Sequence, residues 1–369
     1  MVGGRARGAT LRVVRLEDID YALPPEAIAQ VPVEPRDAAR LLVVGDDGFD
    51  HRKVRDLPDL LRPGDVVVAN STRVRRARVV GHRQSGGAAE LLFLRPLEGG
   101  AWEALVRPSR KVRPGDLVAT GDHVLEIADD LGAGRRVVRL PAGACGSIDD
   151  VMASSGALPL PPYVHADLAD PERYQTVYGE RATSVASPTA GLHFTDDLRR
   201  RLRDRGVGWA TVELEIGMAT FVPIRAEDPA LHPIHTESFR VGREAVDAIE
   251  TARRRGSRVV AVGTTTVRAL ETAAGDGTLQ PIDGESRLYI RPGHKFRVID
   301  VLITNFHAPR STLLMLLEAA MGRRWRSAYQ EALAHDYRFL SLGDAMVTEV
   351  RRGLAAELSL KVGHRRSES

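Results

Sequence analysis

Two histidines stand where a proton-transfer group would be useful. SVASPTAGLHF, residues 184 to 194, holds His193 between Leu192 and Phe194 after a Pro-Thr-Ala-Gly turn. VLITNFHAPRSTLLMLLEAA, residues 301 to 320, ends an apolar run in Thr-Asn-Phe-His and places Asn305 and His307 before a proline turn. Imidazole titrates near neutral pH, which suits both histidines to acid-base work; a lone Asn-His pair also satisfies backbone groups in ordinary loops. AVGTTTVRALE (261–271) sets a glycine and three threonines where a strand hands over to a helix, a place where free amides and hydroxyls suit a carboxylate or phosphate. Threonine is also a common helix cap, so this pattern alone does not separate binding from capping. LHPIHTE (231–237) offers His232, His235 and Glu237 as a metal set, but with no cysteine nearby and no HExxH helix the spacing reads as a loop. GxGxxG and GxxxxGK[ST] are both absent, which leaves a dinucleotide fold and a P-loop unsupported.

The elements that must hold these groups can be read around them. TDDLRRRLRDRG (195–206) has an N-cap threonine, acids in its first turn, basic residues toward its end and a closing glycine, which together predict a short helix. VGREAVDAIETARRRG closes the same way at Gly256 and leads into a buried strand, a glycine turn and a second helix. Ser311 is placed to cap an apolar helix, and polar residues at the end of the buried strand before it lie where α/β proteins bind ligands. From Asp65 to Leu140 the texture changes to short apolar pieces, DVVVAN, RARVVG, AAELLFL, AWEALV, DLVAT, HVLEIA and RRVVRL. A spacing of roughly 8 to 12 residues with turn signals predicts a small barrel or sandwich. The expected architecture is an α/β main domain of residues 1–64 and 151–369, interrupted by a small antiparallel β-barrel at 65–150, with the active site at their junction.

Composition sets outer limits. At 369 residues the chain exceeds the size at which one core usually keeps growing, consistent with two domains. Its single cysteine, Cys145, excludes an internal disulfide and a cysteine metal cluster, and suits a reducing compartment. No stretch approaches the roughly 18 apolar residues of a membrane helix, and MVGGRARGAT has arginines without an apolar core, so a cytoplasmic protein is expected. With 52 basic and 49 acidic residues, the net charge of +3 implies no polyanionic partner by itself. Distribution says more: Arg73, Arg75, Arg76, Arg78 and Arg83 occur with no acid between Ser71 and Arg83, and RPSRKVRP (107–114) adds Arg107, Arg110, Lys111 and Arg113. Each run suits a solvated face; two in proximity also suit a surface that tracks phosphates.

PTAGLHF, AVGTTTVRALE, the run from TNFHAP through STLLML, YRFLSLGDAM (337–346), LPLPPY (158–163) and YQTVYG (174–179) resemble, in order and spacing, the S-adenosylmethionine:tRNA ribosyltransferase-isomerase family of queuosine biosynthesis. The resemblance begins near YALPPEAIAQVPVEPRDAARLLVV (21–44), passes through NSTRVRRAR (70–78) and ends near Met346. It implies an enzyme that moves the ribosyl part of S-adenosylmethionine onto the aminomethyl arm of a 7-deazaguanine in the tRNA wobble position. Rearrangement then gives an epoxycyclopentane-diol, with release of adenine and methionine. The sulfonium acidifies the neighbouring 5′ carbon, so a modest base suffices there; adenine must be protonated to leave, and the attacking amine must be neutral. S-adenosylmethionine is then a co-substrate, the tRNA anticodon region a partner, and no metal is required. No membrane association is expected, and the chain is read as a monomer or weak homo-oligomer.

On this resemblance His193, His307 and Asp344 are the catalytic candidates, His193 first, with Asp344 facing the amine or a hydroxyl. Thr264, Thr265 and Arg268 would take the methionine carboxylate or ribose hydroxyls and Asn305 a polar edge of adenine or ribose. Thr189 and Glu237 complete the substrate set. Arg73, Arg75, Arg76, Arg78, Arg107, Arg110 and Lys111 are the expected tRNA phosphate contacts. The chain departs from the family where Glu215-Ile216-Gly217-Met218-Ala219-Thr220-Phe221 replaces the usual His-Val-Gly-x-Gly-Thr-Phe, and where Arg76 stands for a proline. An alternative reading follows from that loop: a diverged paralogue that uses S-adenosylmethionine with a small-molecule acceptor or for another sulfonium reaction. A non-catalytic RNA-binding protein on the same scaffold is the third.

Overall fold

The structure, a computed structural model, describes residues 14–351 apart from residues 167, 218–223, 225 and 276. Nine strands form one mixed sheet in the order Ile282–Ser286, Glu237–Val241, Gly208–Leu214, Val66–Asn70, Val259–Val262, Val301–Asn305, Ala345–Glu349, Arg40–Gly45 and Gly48–Lys53. The four strands from Gly208–Leu214 to Val301–Asn305 run parallel, so their C-terminal ends share one edge. Side chains alternate across the sheet. Val66, Val68, Val259, Ala261 and Leu302 pack under helices Arg243–Arg254, Thr264–Ala274, Thr312–Met321 and Arg324–Ala334. Val67, Ala69, Val260, Val262 and Ile303 face helix Asp196–Asp204 and the turn at Thr189–His193.

Local signals become caps at the expected places. Thr195 accepts a hydrogen bond from the Leu198 amide at 3.0 Å, and Ser311 accepts one from Leu314 at 3.4 Å. Gly263 has φ of +85°, a conformation that favours glycine, and this turn swings the chain from strand Val259–Val262 into helix Thr264–Ala274.

A second sheet closes on itself as a six-stranded antiparallel barrel. Strands Arg78–Arg83, Ala88–Pro96, Trp102–Arg107, Arg135–Arg139, His123–Gly132 and Leu117–Thr120 pair in that order, and the last returns to the first. Its core holds Val79, Leu91, Phe93, Ala104, Val118, Ile127 and Val138. DVVVAN, grouped by spacing with the barrel pieces, instead supplies Val66–Asn70, a strand inside the nine-stranded sheet. A valine run buried on both faces looks like any short buried strand until its partners are known. No described helix is long and apolar enough to cross a membrane.

Candidate active site

The parallel strands deliver their last residues to one cavity of about 520 Å³. Thr304 and Asn305 end one strand, Gly263 follows another, and the turns at 187–190 and 340–341 complete the wall with Pro162, Tyr163 and His165. This is the crevice outside the carboxyl ends of the strands where open α/β sheets bind ligands.

His307 lines the cavity. Its Nε2 lies 3.0 Å from Thr304 Oγ1, its amide donates to Tyr329 Oη at 2.7 Å, and its carbonyl accepts from Tyr21 Oη at 2.6 Å. Nδ1 has no hydrogen-bond partner among the described residues. Burial pushes the imidazole down to about 3, so it is neutral at physiological pH.

His193 is one layer further back. It is not among the cavity's lining residues but lines a small crevice with Arg36, Arg173 and Leu192 that shares Ser341 with the cavity, and its Nε2 is 3.3 Å from Nδ2 of the cavity residue Asn305. Burial, and then the charges of Arg338, Arg36 and Arg173, push it down to about 4. Thr189 donates to Asn305 Oδ1 at 3.0 Å, so the amide is held from both ends at the cavity surface.

Asp344 does not reach the cavity either. Its Oδ1 accepts the Arg40 amide at 3.0 Å and its Oδ2 the Arg338 amide at 2.8 Å, with the Arg338 guanidinium 3.6 Å away. The carboxylate that was expected to meet an amine or hydroxyl is occupied in fastening the 338–344 loop to strand Arg40–Gly45. That loop carries Leu340, a cavity residue at φ of +68°, a strained conformation for a branched side chain.

Thr264 and Thr265 form the cavity's helix-end wall, and Asn70 Nδ2 lies 3.4 Å from Thr265 Oγ1. Past them a recess of about 40 Å³ contains Arg268, Tyr289 and Leu313. Arg268 pairs with Glu237 and donates Nε to the Leu288 carbonyl at 3.2 Å, while its Nη2 is buried without a partner among the described residues. Glu237 is thus a partner of Arg268 rather than a metal ligand beside His232 and His235. Burial raises its carboxyl, and Arg268 pulls it back.

Sequence reading missed Tyr163, Ser341, Ser187 and His165. Tyr163 Oη and Ser341 Oγ are 2.5 Å apart, and burial pushes the phenol up to about 12. Ser187 lines the cavity with its hydroxyl buried and without a partner among the described residues. Tyr163 and Ser341 fall in LPLPPY and YRFLSLGDAM, so those runs were the available signal.

All seven cationic candidates line connected grooves. Arg73, Arg75, Arg76, Arg78 and Arg107 border a groove of about 1160 Å³; Arg78, Arg107, Arg110 and Lys111 border an adjoining hollow of about 800 Å³. Arg73 is paired with Glu172 at 2.7 Å and Arg78 with Glu90 at 2.8 Å; Arg76 donates to the Gly156 carbonyl at 2.7 Å. The Arg75 guanidinium stacks 4.8 Å above the Trp102 ring. Arg107, Arg110 and Lys111 are exposed and have no ion-pair partner among the described residues. The groove and the cavity share Pro162 and His165 in their walls, so the two spaces adjoin.

The family model for "Queuosine biosynthesis protein" matches residues 16–348. The chain belongs to this queuosine biosynthesis family. A relative from Symbiobacterium thermophilum named S-adenosylmethionine:tRNA ribosyltransferase-isomerase is 48% identical over 341 residues, 90% of this chain and 99% of the relative. A Thermus thermophilus relative of the same name is 47% identical over 346 residues, again 90% and 99%. The crystal structure of S-adenosylmethionine tRNA ribosyltransferase from Thermotoga maritima, 35% identical, covers 89% of this chain and 99% of its own, with a TM-score of 0.52. In the family's altered loop, Glu215 is half-buried and its carboxyl is raised by burial, with Arg75 and Arg181 opposing. Met218, Ala219, Thr220 and Phe221 lie outside the described residues.

Proposed function

We propose that this chain is an S-adenosylmethionine:tRNA ribosyltransferase-isomerase that converts 7-aminomethyl-7-deazaguanine in tRNA to epoxyqueuosine, releasing adenine and methionine. The observation that carries the reading is the adjacency of two spaces: a cavity at the strand ends, walled by Asn305, His307 and Thr264, adjoins the arginine-lined groove across Pro162 and His165. A co-substrate fits the first and an RNA backbone the second. A small acceptor would have no use for the second, which favours tRNA over the paralogue reading.

In this reading the methionine end of S-adenosylmethionine lies toward the start of helix Thr264–Ala274. Free amides, the hydroxyls of Thr264 and Thr265, and the unpartnered Nη2 of Arg268 favour its carboxylate there. Ribose meets Thr189 and Asn305, and adenine meets Phe306, Leu340 and Tyr163. His307 Nδ1 takes the acidified proton from the 5′ carbon. As an imidazolium in a buried site it is a strong acid, and it returns that proton to adenine as the glycosidic bond breaks. His193 and Asp344 position this machinery, the first by orienting Asn305 and the second by holding the loop of Leu340 and Ser341. Arg107, Arg110 and Lys111 supply free phosphate contacts, with Arg73, Arg75, Arg76 and Arg78 along the same path.

The main domain, which takes in strand Val66–Asn70 as well as the segments before residue 65 and after residue 150, carries the co-substrate, and the barrel strands between Arg78 and Arg139 carry RNA. A cytoplasmic protein, a monomer or weak homo-oligomer, with no metal in the reaction, completes the proposal. Its test is release of adenine and methionine from S-adenosylmethionine with and without an anticodon stem-loop bearing the aminomethyl base. RNA-dependent release supports it; release that requires a small amine instead moves the assignment to the paralogue.

A further inference from the structure

Away from the cavity, His51 on edge strand Gly48–Lys53 faces Glu331 on helix Arg324–Ala334 and His335 just past its end. Glu331 Oε1 lies 3.1 Å from His51 Nε2 and 3.2 Å from His335 Nδ1. One donor atom from each residue gives a set lying within 4.8 Å. An ion bound tetrahedrally with bonds of about 2.0–2.1 Å holds its ligand atoms roughly 3.3 Å apart, so both contacts to the carboxylate already have coordination spacing. We propose that His51, Glu331 and His335 form a binding site for a divalent transition metal that ties the edge strand to the helix.

The donor set selects the ion class. Two imidazoles with one carboxylate suit Zn²⁺, Co²⁺ or Ni²⁺, whereas Mg²⁺ and Ca²⁺ take oxygen ligands. A neighbouring group also orients the first ligand: the Tyr337 hydroxyl is 2.9 Å from His51 Nδ1, which turns Nε2 toward the carboxylate. Tyr337 is itself held by the Arg40 guanidinium, 4.0 Å from its ring centre. On metal binding the His51 proton moves from Nε2 to Nδ1 and Tyr337 Oη accepts it as a hydrogen bond, so the imidazole stays neutral. The His51 and His335 rings lie 4.4 Å apart, and the three side chains are 33%, 29% and 48% exposed. The exposed side of the cluster lets water occupy the fourth position. The competing arrangement is a plain hydrogen-bonded cluster, in which His335 Nδ1 donates to the Glu331 carbonyl at 3.0 Å. None of the three residues lines the cavity, so the ion braces the fold and the site stands independently of the proposed reaction.

The test uses the untagged full-length chain after chelator dialysis. Titration with Co²⁺, read by visible absorption, and with Zn²⁺, read by calorimetry, is expected to give one saturable equivalent with a tetrahedral Co²⁺ band. Zn²⁺ is expected to raise Tm. His51→Ala and Glu331→Gln are each expected to weaken binding by at least about tenfold and to abolish the Tm rise. Two variants on different elements are used so that a folding defect in one, seen by circular dichroism, leaves the other to decide. Absence of saturable binding, or equal binding by wild type and a folded variant, overturns the site and leaves the hydrogen-bonded cluster.

Discussion

Asn305 stands between His193 and the cavity: its Nδ2 is 3.3 Å from His193 Nε2, while its Oδ1 accepts the Thr189 hydroxyl at 3.0 Å. With Nδ2 as donor, His193 Nε2 must be the unprotonated nitrogen, so the network assigns His193 a neutral tautomer with its proton on Nδ1. On the proposed reading, this buried imidazole, bonded to an amide of the cavity wall, acts as a positioning group.

The two histidines should therefore separate kinetically. His307→Ala is expected to lower kcat by about 10²- to 10⁴-fold with little change in co-substrate binding. His193→Ala is expected to cost less, and the loss should appear in KM for S-adenosylmethionine as well as in kcat, because Asn305 loses its orientation. Equal losses confined to kcat would make His193 the proton-transfer group after all.

Arg268 should read the amino-acid end of the co-substrate. Arg268→Ala is expected to weaken S-adenosylhomocysteine, which keeps the carboxylate, by roughly 10- to 100-fold, the scale of a charged hydrogen bond. 5′-Methylthioadenosine, which lacks that end, should bind both proteins alike in calorimetry. Parallel losses for the two ligands would place the carboxylate elsewhere.

The free cations of the groove should report through salt. Charge reversal at Arg107, Arg110 or Lys111 is expected to lower stem-loop affinity and reduce the slope of log K against log salt by about 0.7 to 0.9 per lost phosphate contact. Adenosyl-ligand binding should not change. An unaltered slope would remove these residues from the RNA path.

Acid stability should depend on Glu271. Burial alone would raise its carboxyl, but hydrogen bonds from the amides of Arg297, Val298 and Ile299, with the His294 imidazole 3.5 Å away, outweigh burial and hold it below the usual range. A depressed folded-state value gives stability that is present above the unfolded value of about 4.3 and is lost as pH falls through the folded value. Glu271→Gln is expected to lower Tm at pH 7 and to flatten the fall in Tm below about pH 4.3. A variant with the same Tm-pH curve as wild type would contradict this.

Much of the scaffold was legible because its signals are local. Thr195 and Ser311 cap helices through side chains three residues from their targets, and the glycine turn at Gly263 needs only its own backbone. Asn305 and His307 line the cavity because they close a buried strand, the place where α/β sheets bind ligands, although the pair alone would equally suit loop backbone groups. What could not be read depends on partners far along the chain. Asp344 is consumed by amides at Arg40 and Arg338, and His193 lines a separate crevice with Arg36 and Arg173. Val66–Asn70 passed for a barrel strand because nothing within the run names its neighbours Gly208–Leu214 and Val259–Val262.

The tRNA-modifying activity is tested by nucleoside mass spectrometry of an anticodon stem-loop carrying 7-aminomethyl-7-deazaguanine after incubation with the chain and S-adenosylmethionine. Conversion of that nucleoside to epoxyqueuosine, lost in His307→Ala, is the expected result. An unmodified nucleoside, recovered while the folded protein still binds S-adenosylmethionine and the stem-loop, would contradict it.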